Sequence, residues 1–417
     1  MPDHTQPTST PLRGPTPAPT LANSFFQGAM SPAFRDDPYP FYERFRGPRP
    51  LLQVADTIWF AMGHADVTAL LRHPKLSTDE SRSTAEKAKS TPKGRSQSLL
   101  FMDPPDHTRL RGLVARAFTP RRIEELRHAT ETIAKELVYS LKVRGPEVDL
   151  IEAFAYPLPV RVICALLGVP AVDEAMFTAW SRAVARSLDP SVLRTPELDV
   201  RIDTARQELR AYLADLLATR RKVPSDDLLS ALAAVDVEGD RITSAEVLSL
   251  AVLLLVAGHE TTVNLIGNGT LALLRAPEQL ERLRQSPELV GPAVDELLRF
   301  DGPVQITQRV VVGDMEAAGC SVKAGDEILL ILGAANRDSA VFADPHKLDV
   351  TRDARRHVAF GGGVHHCLGF ALARMEGQIA FQALLDNFPR IELAGTPVRR
   401  PTFTLRGLEA LPVALPA

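Results

Sequence analysis

The run 360–369, Phe-Gly-Gly-Gly-Val-His-His-Cys-Leu-Gly, constrains the fold and chemistry of this chain more than any other stretch. It places one thiol, Cys367, in a glycine-rich loop directly before a helix-forming run at 368–387. Consecutive glycines let the backbone turn tightly and direct amide N–H groups at the sulfur. Because a cysteine thiolate is a strong metal ligand, the run predicts a tight loop that presents sulfur to a metal.

On the residues alone, Cys367 has two other interpretations. Most free cysteines are small buried hydrophobic side chains. Zinc is a further alternative, because His357, His365 and His366 lie close to the cysteine in the sequence. Zinc ligands usually occur in spaced pairs such as C-x2-C or H-x3-H, however, and the sequence contains no second pair here.

The decapeptide resembles the Cys-ligand loop of the cytochrome P450 family, the heme-thiolate monooxygenases. This resemblance implies that Cys367 is the axial ligand of heme b (iron protoporphyrin IX), to which its thiolate donates electron density. It also implies that Phe360, Gly361, Leu368 and Gly369 contact the heme.

Composition places the chain among ordinary globular proteins. Of its 417 residues, 45% are hydrophobic and 24% are charged, which is typical of that class. The formal net charge of −3 disfavours bulk attraction to nucleic acid. The three cysteines, Cys164, Cys320 and Cys367, are too few for a disulfide framework and favour a reducing cytoplasm.

The N-terminal residues predict a tail rather than a targeting segment. Residues 1–20 contain six prolines and no apolar run, whereas a secretory signal needs a basic region followed by an apolar one. We expect a disordered, proline-rich tail over 1–22. The longest apolar stretch, 247–257, contains a serine and is too short to span a bilayer. We therefore expect a soluble, cytoplasmic protein that binds no membrane.

Helical periodicity dominates the chain after the tail. Helices are predicted at 65–73, 106–117, 120–143, 158–167, 172–187, 195–221, 226–234, 244–273, 277–285, 288–300 and 368–387. Strands are predicted in a hairpin at 51–61 and at 305–311, 327–331 and 402–415, and 79–98 is predicted to be a long loop. The length suggests two or three domains, but no proline-rich linker interrupts 40–417. We therefore expect one domain over 23–417, mainly α with a small β-rich region.

Two apparent cofactor motifs fail in context. Residues 267–272 match G-x-G-x-x-A but lie inside a predicted helix, whereas a dinucleotide site follows a strand. Residues 259–263 begin like H-E-x-x-H, but the fifth position is Val263, which excludes the zinc-protease motif. With no flavin or nicotinamide motif in the chain, the resemblance implies electrons from a separate ferredoxin or flavodoxin with its NAD(P)H reductase.

An acid and an alcohol interrupt the longest apolar helix. Leu253, Ala257 and Thr261 are spaced by four and share one face. The small Ala257 and Gly258 would let that face approach a flat ring. The resemblance implies that Glu260 and Thr261 form the acid–alcohol pair of the family, which delivers protons to dioxygen. The alternative is structural, with Thr261 bonding its i−4 carbonyl beside a solvated glutamate.

Glu296 and Arg299 have the E-x-x-R spacing of one helix face. Such pairs arise often and add only tenths of a kcal/mol on a surface. The resemblance adds Arg352, which precedes the cysteine loop, and implies a structural triad that supports this loop. We expect these three residues to have a folding role and not a catalytic one.

Four basic side chains are candidates for binding the heme propionates, which need cations or hydrogen-bond donors. His107 and Arg111 lie at i,i+4 on one helix face. Arg309 and His365 occupy the positions that supply the other contacts in similar bacterial members of the family. Taken singly, each of these side chains is better explained by a solvated charge, and it is as a set that they indicate propionate binding.

The resemblance covers about 40–417 and implies the cytochrome P450 fold, with heme between the long oxygen-binding helix and the Cys-ligand loop. It implies a monooxygenase that inserts one atom of O2 into an apolar compound, by hydroxylation or epoxidation of a fatty acid, a terpenoid or steroid, or a macrolide-like molecule. The candidate substrate contacts are mostly apolar and comprise Leu100, Leu253, Val256, Val304, Ile306, Phe403, Thr404 and Leu405. The alternatives are a peroxide-driven peroxygenase and a non-catalytic heme-based ligand sensor or carrier.

Overall fold

The structure is a computed structural model, which describes residues 21–29, 31–46, 51–84, 98–115, 120–189, 193–234, 236–237, 240–317 and 319–416. Most of the predicted loop at 79–98 lies outside the described residues. The described part is mainly helical, with a five-stranded sheet and several smaller sheets. The predicted class, mainly α with a small β-rich region, is confirmed.

Helices and strands of the described residues are numbered in chain order. The helices are α1 Leu21–Ala29, α2 Pro32–Asp36, α3 Tyr39–Phe45, α4 His64–Leu70, α5 Asp106–Ala115, α6 Pro120–Arg144, α7 Pro157–Leu167, α8 Glu174–Ala185, α9 Pro196–Lys222, α10 Leu228–Ala233, α11 Ser244–Leu274, α12 Pro277–Gln285, α13 Val290–Asp301, α14 Leu332–Ala335 and α15 Phe370–Asn387. The strands are β1 Leu51–Ala55, β2 Ile58–Ala61, β3 Leu76–Ser77, β4 Glu147–Asp149, β5 Asp236–Val237, β6 Asp240–Arg241, β7 Thr307–Val311, β8 Met315–Ala317, β9 Cys320–Val322, β10 Glu327–Leu330, β11 Glu392–Leu393, β12 Val398–Arg399, β13 Leu408–Ala410 and β14 Pro412–Ala414.

The largest sheet has the strand order β1-β2-β10-β7-β3. β1 and β2 form the predicted antiparallel hairpin, and β10 adds to β2 in parallel, with Ile328 opposite Trp59. On its other side β10 pairs antiparallel with β7, which places Ile328 opposite Arg309. Arg309 therefore lies in an interior strand, where the backbone on both sides is fixed.

The helix α11 is the central helix of the fold. Its first turn is closed by a capping box, in which the Thr243 side chain accepts from the Glu246 N–H and the Glu246 carboxylate accepts from the Thr243 N–H. It contacts α7, α8, α9, α13 and α15, as expected of a helix that is apolar on most of its faces.

The apolar stretch at 247–257 lies inside the longer helix α11. By length and composition alone the 31 residues of α11 could span a bilayer, but 67% of their most apolar segment is buried inside the protein. The stretch at 247–257 is too short by itself, and the helix continues through the polar residues on both sides of it. A helix that is apolar on most of its faces and buried in this way belongs to the core of the fold.

The first described residue of the chain already belongs to a helix. Residues 1–20 of the predicted tail lie outside the described residues, and Leu21 begins α1, two residues before the predicted start of the domain at 23. Phe25 is 0% exposed, and its ring lies 4.5 Å from that of Phe60 and 6.0 Å from that of Phe403, measured between centroids. Because these partners come from distant parts of the chain, the local sequence contains no sign of this anchor.

The strand predicted at 402–415 is divided in the structure. β13 pairs with β12, while β14 pairs with both β11 and β4. Residues 402–406 form a turn instead, in which the backbone N–H groups of Phe403 and Thr404 both donate to Asp189 Oδ1 at 2.9 Å. A buried side chain thus replaces the strand partner that would otherwise satisfy these donors.

Candidate active site

The loop before α15 turns as its glycines predict. Gly361 and Gly363 have φ angles of +67° and +66°, in the left-handed region that favours glycine. A Cβ on Gly363 would also lie 2.5 Å from the carbonyl oxygen of Leu71. The N–H of Cys367 donates to the carbonyl of Phe360 at 3.0 Å. The loop therefore closes on itself and presents a half-buried thiol at its end.

The surroundings of Cys367 fit a metal ligand. Apolar surroundings raise the pKa of its thiol, and this effect is opposed by the backbone N–H of Gly369 and the positive charge of Arg111. Arg111 is fixed nearby, because its Nη2 donates to the His366 carbonyl at 2.6 Å. A metal cation would supply the charge that stabilises the thiolate fully. Within the described residues, no group of three or more His, Cys, Asp or Glu side chains could hold a metal ion.

One strip of α11 is accessible although most of the helix is buried. Ala257 is exposed, and Leu253 and Thr261, four residues to either side, are half-buried. Leu253 and Leu368, which follows the cysteine, border the same apolar cluster. A Cβ on Gly258 would lie 2.8 Å from Ile163 Cδ1, so the small size of this glycine also serves packing against α7. The strip of Leu253, Ala257 and Thr261, with the small Ala257 most exposed, would let a planar ring approach the helix.

The four candidate propionate ligands lie together. The rings of His107 in α5 and His365 in the cysteine loop are 4.2 Å apart, measured between centroids. Burial lowers the pKa of His365 to about 3, with further contributions from His107, Arg309 and Arg111. Sequence reasoning therefore found a cluster of basic groups contributed by α5, β7 and the loop.

No carboxylate of the described residues forms an ion pair with this cluster. Arg309 is 6% exposed and forms no ion pair in the described part of the chain, although Asp103 lies near enough to raise its pKa. Burial nevertheless lowers the pKa of Arg309 to about 10. His107 Nδ1 is likewise buried without a hydrogen-bond partner among the described residues. Two carboxylates placed here would pair with these groups, so the cluster fits the propionates of a heme.

Glu260 is not solvated, contrary to the structural alternative. It is 1% exposed, and its carboxylate accepts from the Tyr156 hydroxyl at 3.0 Å and from Arg400 Nη1 at 2.6 Å. Burial raises the pKa of Glu260, but the hydrogen bond from His259 and the charge of Arg400 more than offset this effect and lower it to about 2. The other half of that alternative is present, since Thr261 Oγ1 donates to the Ala257 carbonyl at 2.9 Å.

Sequence reasoning missed the polar network that surrounds Glu260. His259 Nδ1 lies 2.6 Å from the Leu255 carbonyl, so this nitrogen carries a proton, and Nε2 faces the network. Ser181 of α8 lies 2.8 Å from His259 Nε2, and the Tyr156 hydroxyl lies 3.3 Å from it. Only the His–Glu dipeptide was visible in the sequence. Its partners come from other elements and form no motif with it.

The predicted structural triad is assembled, and two of its members, Glu296 and Arg299, are buried. Arg299 donates from Nε and Nη2 to the two carboxylate oxygens of Glu296 at 2.6 and 2.8 Å, and both residues are 0% exposed. Arg352 Nε donates to Glu296 Oε1 at 3.2 Å. The Asp349 N–H, directly before the cysteine-loop region, also donates to Glu296 at 3.0 Å. The carboxylate thus ties α13 to the segment that leads into the loop.

Only some of the candidate substrate contacts lie close together in the structure. Val256, Val304 and Leu405 belong to one small apolar cluster, with Leu253 on the accessible strip. Ile306 and Phe403 belong instead to an aromatic cluster around Phe25, and the Thr404 hydroxyl is engaged by the Leu188 carbonyl at 2.9 Å. Leu100 lies apart, in a short 3-10 turn, with 41% of its surface exposed.

Comparisons place the chain among known proteins. The sequence model of the family described as Cytochrome P450 matches residues 13–408. The chain is 43% identical over 395 residues to vitamin D(3) 25-hydroxylase of Pseudonocardia autotrophica, covering 93% of this chain and 96% of that protein. It is 42% identical over 397 residues to the cytochrome P450 monooxygenase PikC of Streptomyces venezuelae, covering 93% of each. The solved structure of ligand-free CYP164A2 of Mycobacterium smegmatis is similar, with a TM-score of 0.88, 41% identity and coverage of 94% of this chain and 99% of that one.

Proposed function

The chain belongs to the cytochrome P450 family and is a monooxygenase with heme b as its cofactor, and from this premise we propose that it inserts one atom of O2 into an apolar organic substrate. The observation that carries this proposal is the combination of a sulfur ligand, an open strip on α11 and a cluster of basic groups in which the buried Arg309 forms no ion pair with a described residue. These are the partners that a planar, anionic iron porphyrin needs.

Each part of the heme has residues that would hold it. Cys367 would supply the thiolate that ligates the iron, and Phe360, Gly361, Leu368 and Gly369 would form the loop surface that contacts the heme. Ala257 and the backbone at Gly258 would contact it from α11. His107, Arg111, Arg309 and His365 would bind the propionates. When bound, the heme activates dioxygen, and electron donation by the thiolate favours cleavage of the O–O bond.

The acid–alcohol pair would deliver protons. Thr261 lies on the accessible strip of α11, so its hydroxyl can present a proton at the surface where dioxygen is activated. Glu260 is the next residue along the helix and belongs to a buried polar network, so it can resupply that proton. Positioned proton donors typically contribute about 10²–10⁴-fold to a rate.

The substrate class follows from the apolar side chains near the strip. Leu253, Val256, Val304 and Leu405 are all aliphatic, and such lining binds apolar molecules. A fatty acid, a terpenoid or steroid, or a macrolide-like compound would fit, by hydroxylation or epoxidation. The similarity to a vitamin D(3) hydroxylase supports a polycyclic or steroid-like candidate.

We also propose the setting in which the enzyme works. It acts as a soluble cytoplasmic protein with a single domain over 23–417. Electrons come from a separate ferredoxin or flavodoxin with its NAD(P)H reductase, because the sequence contains no flavin or nicotinamide motif.

Two measurements test the proposal. The carbon monoxide complex of the reduced protein should show the long-wavelength absorption band of thiolate-ligated heme, and Cys367→His should lose this band and the monooxygenase activity while keeping part of the heme. A compound library should contain apolar molecules that shift the ferric heme absorption and are oxidised when ferredoxin and reductase are added. Absence of the band in the unaltered protein would contradict the role of Cys367. Turnover with hydrogen peroxide but not with the electron donors would favour a peroxygenase.

A further inference from the structure

A single buried carboxylate joins the C-terminal turn at 402–406 to the short segment that follows α8. Asp189 is 4% exposed, and its Oδ1 accepts hydrogen bonds from the backbone N–H groups of Phe403 and Thr404, both at 2.9 Å. Arg186 Nε donates to the other carboxylate oxygen at 3.2 Å. We propose that Asp189 is a positioning residue, which holds this turn as a wall of the substrate pocket and thereby sets the orientation of a bound apolar substrate. The inference rests on the function proposed above.

The side chain of Thr404 adds a bond to the same segment. Its Oγ1 donates to the Leu188 carbonyl at 2.9 Å. With the two bonds to Asp189, three hydrogen bonds connect the turn to residues 186–189. Two of the three end on one oxygen of Asp189. Without this oxygen the two backbone N–H groups would lose their acceptor inside the protein, which is unfavourable enough to displace the turn towards water.

A second attachment of the turn is to the segment that follows α13. The Gln305 N–H donates to the Thr404 carbonyl at 3.0 Å, and Val304 and Leu405 lie opposite each other in an isolated antiparallel bridge. This bridge does not continue into a ladder of paired residues. The turn therefore depends on Asp189 for its position relative to α8.

The side chains of the turn pack into two different clusters. The Phe403 ring is stacked on that of Phe34 in α2, with 5.7 Å between the centroids. Leu405, two residues later, belongs instead to an aliphatic cluster that contains Val256 of α11. Because the ring fixes only one end of the turn, the position of Leu405 is set by the backbone between the two clusters. Asp189 binds that backbone.

The aliphatic cluster borders the accessible strip of α11. Besides Leu405 and Val256 it contains Val184 and Ala185 of α8. Val256 directly precedes Ala257, the most exposed residue of the strip. An apolar substrate bound against the strip would contact this cluster. If the turn were displaced, one side of the pocket would lose its wall, and the same substrate could bind in more than one orientation.

Hydrogen exchange of the heme-loaded enzyme, followed by mass spectrometry, tests the anchoring directly. In Asp189→Ala the N–H groups of Phe403 and Thr404 should exchange at least about tenfold faster, because their hydrogen bonds to Asp189 no longer oppose local opening. Asp189→Asn keeps an acceptor oxygen at this position and should retain the protection. If Asp189→Ala binds no heme, Asp189→Ser, whose hydroxyl is too short to reach both N–H groups, decides the question in the same way.

The matched control is Asp149→Ala. Asp149 Oδ1 also accepts from two backbone N–H groups, those of Ile151 at 3.0 Å and Leu411 at 2.9 Å. Leu411 belongs to a different apolar cluster from Leu405. This variant should therefore accelerate exchange of its own two partners and leave the protection of 402–406 unchanged.

Two heme ligands of different size measure the effect on the pocket. Imidazole binds iron through one small ring, whereas 4-phenylimidazole extends an apolar ring beyond it. In Asp189→Ala the Kd of 4-phenylimidazole, measured from the shift of the ferric heme absorption, should rise about tenfold, because binding must order the freed turn again. The Kd of imidazole should stay the same. Asp189→Asn and Asp149→Ala should leave both constants unchanged.

The same variants should differ in their products. An apolar substrate found in the compound library should be oxidised at more positions by Asp189→Ala than by the unaltered enzyme, because the displaced wall admits several orientations. Asp189→Asn should restore the original distribution of products. A merely structural role of Asp189 would lower the yield of all products together.

The outcomes separate this inference from the function on which it rests. If Asp189→Ala keeps the protection of 402–406, or if Asp189→Asn loses it equally, Asp189 does not position the turn and the inference is wrong. It is also wrong if the Kd of 4-phenylimidazole is unchanged in Asp189→Ala or rises equally in Asp149→Ala. If exchange and ligand binding change as expected but no apolar compound is oxidised, the monooxygenase proposal fails, and the role of Asp189 in shaping the pocket stands.

Discussion

Replacing Glu296 by glutamine should strongly destabilise the protein, because Glu296 joins α13 to the segment before the cysteine loop. Its carboxylate receives hydrogen bonds from Arg299, Arg352 and the Asp349 N–H. Arg299 is 0% exposed, so the variant would leave a guanidinium buried beside a neutral amide. Two further bonds from Arg299 Nη1, to the carbonyls of Asn336 and Pro345 at 3.0 and 2.9 Å, would remain but carry no compensating charge.

The size of the effect follows from that burial. Removing one partner of a buried ion pair costs about 3–5 kcal/mol, because the other charge is left uncompensated. The total free energy of unfolding of a protein is typically about 5–15 kcal/mol. Glu296→Gln should therefore remove a third or more of the stability. It should also weaken heme retention, because the loop that carries Cys367 would lose its support.

The measurement is urea unfolding followed by circular dichroism and by heme absorbance. The control is Glu124→Gln, which breaks a pair with the same i,i+3 spacing, between Glu124 and Arg127, but with 71% of the Glu124 side chain exposed. This control should change the unfolding free energy by no more than about 1 kcal/mol. If Glu296→Gln is as mild as the control, the folding role of the triad is refuted.

Three other changes have defined outcomes. Thr261→Ala should bind substrate normally but consume reduced cofactor faster than it forms product, with peroxide accumulating. If the variant forms as much product per reduced cofactor as the unaltered enzyme does, the Thr261 hydroxyl only bonds the backbone of its own helix. Arg309→Leu should bind heme more weakly, because it removes the buried cation proposed to pair with a heme propionate, while the heme-free protein should lose no stability. Heme transfer to apomyoglobin measures the first effect and thermal unfolding the second. Burial raises the pKa of Glu376 to about 8. The contribution of its neutral carboxyl group to the free energy of unfolding is therefore fully present below the unfolded-state pKa of about 4.5 and is lost as pH rises through 8. Glu376→Gln should therefore reduce the loss of unfolding free energy between pH 5 and pH 8, and an unchanged loss would show that Glu376 does not titrate in this range.

Features encoded in short segments were predictable from the sequence. The turn at Gly361 and Gly363 needs left-handed backbone angles that glycine adopts readily, so three adjacent glycines before Cys367 already predict the loop. The helix α11 follows from its own apolar run and its capping residues. Local chemistry determines such elements, because their hydrogen bonds and backbone angles involve residues a few positions apart.

The cluster of His107, Arg111, Arg309 and His365 was only partly predictable from the sequence. The four basic residues were selected by resemblance, and no spacing in the sequence brings His107 close to Arg309. The antiparallel pairing of β7 with β10 and the packing of α5 against the loop are what collect them. The register of strands depends on contacts across the whole fold.

By itself, then, the sequence determined the helical class, the cysteine loop, the acid–alcohol dipeptide and the E-x-x-R pair. Tertiary structure alone decided that Leu21 begins a helix, since the ring of Phe25 finds its partners in β2 and in the C-terminal turn. It alone brought Arg400 onto Glu260, 140 residues earlier in the chain. The physical reason is the same in both cases. A buried aromatic ring or carboxylate is stabilised by whichever groups the folded chain places within a few ångströms, and the residues next to it in the sequence do not predict which groups these are.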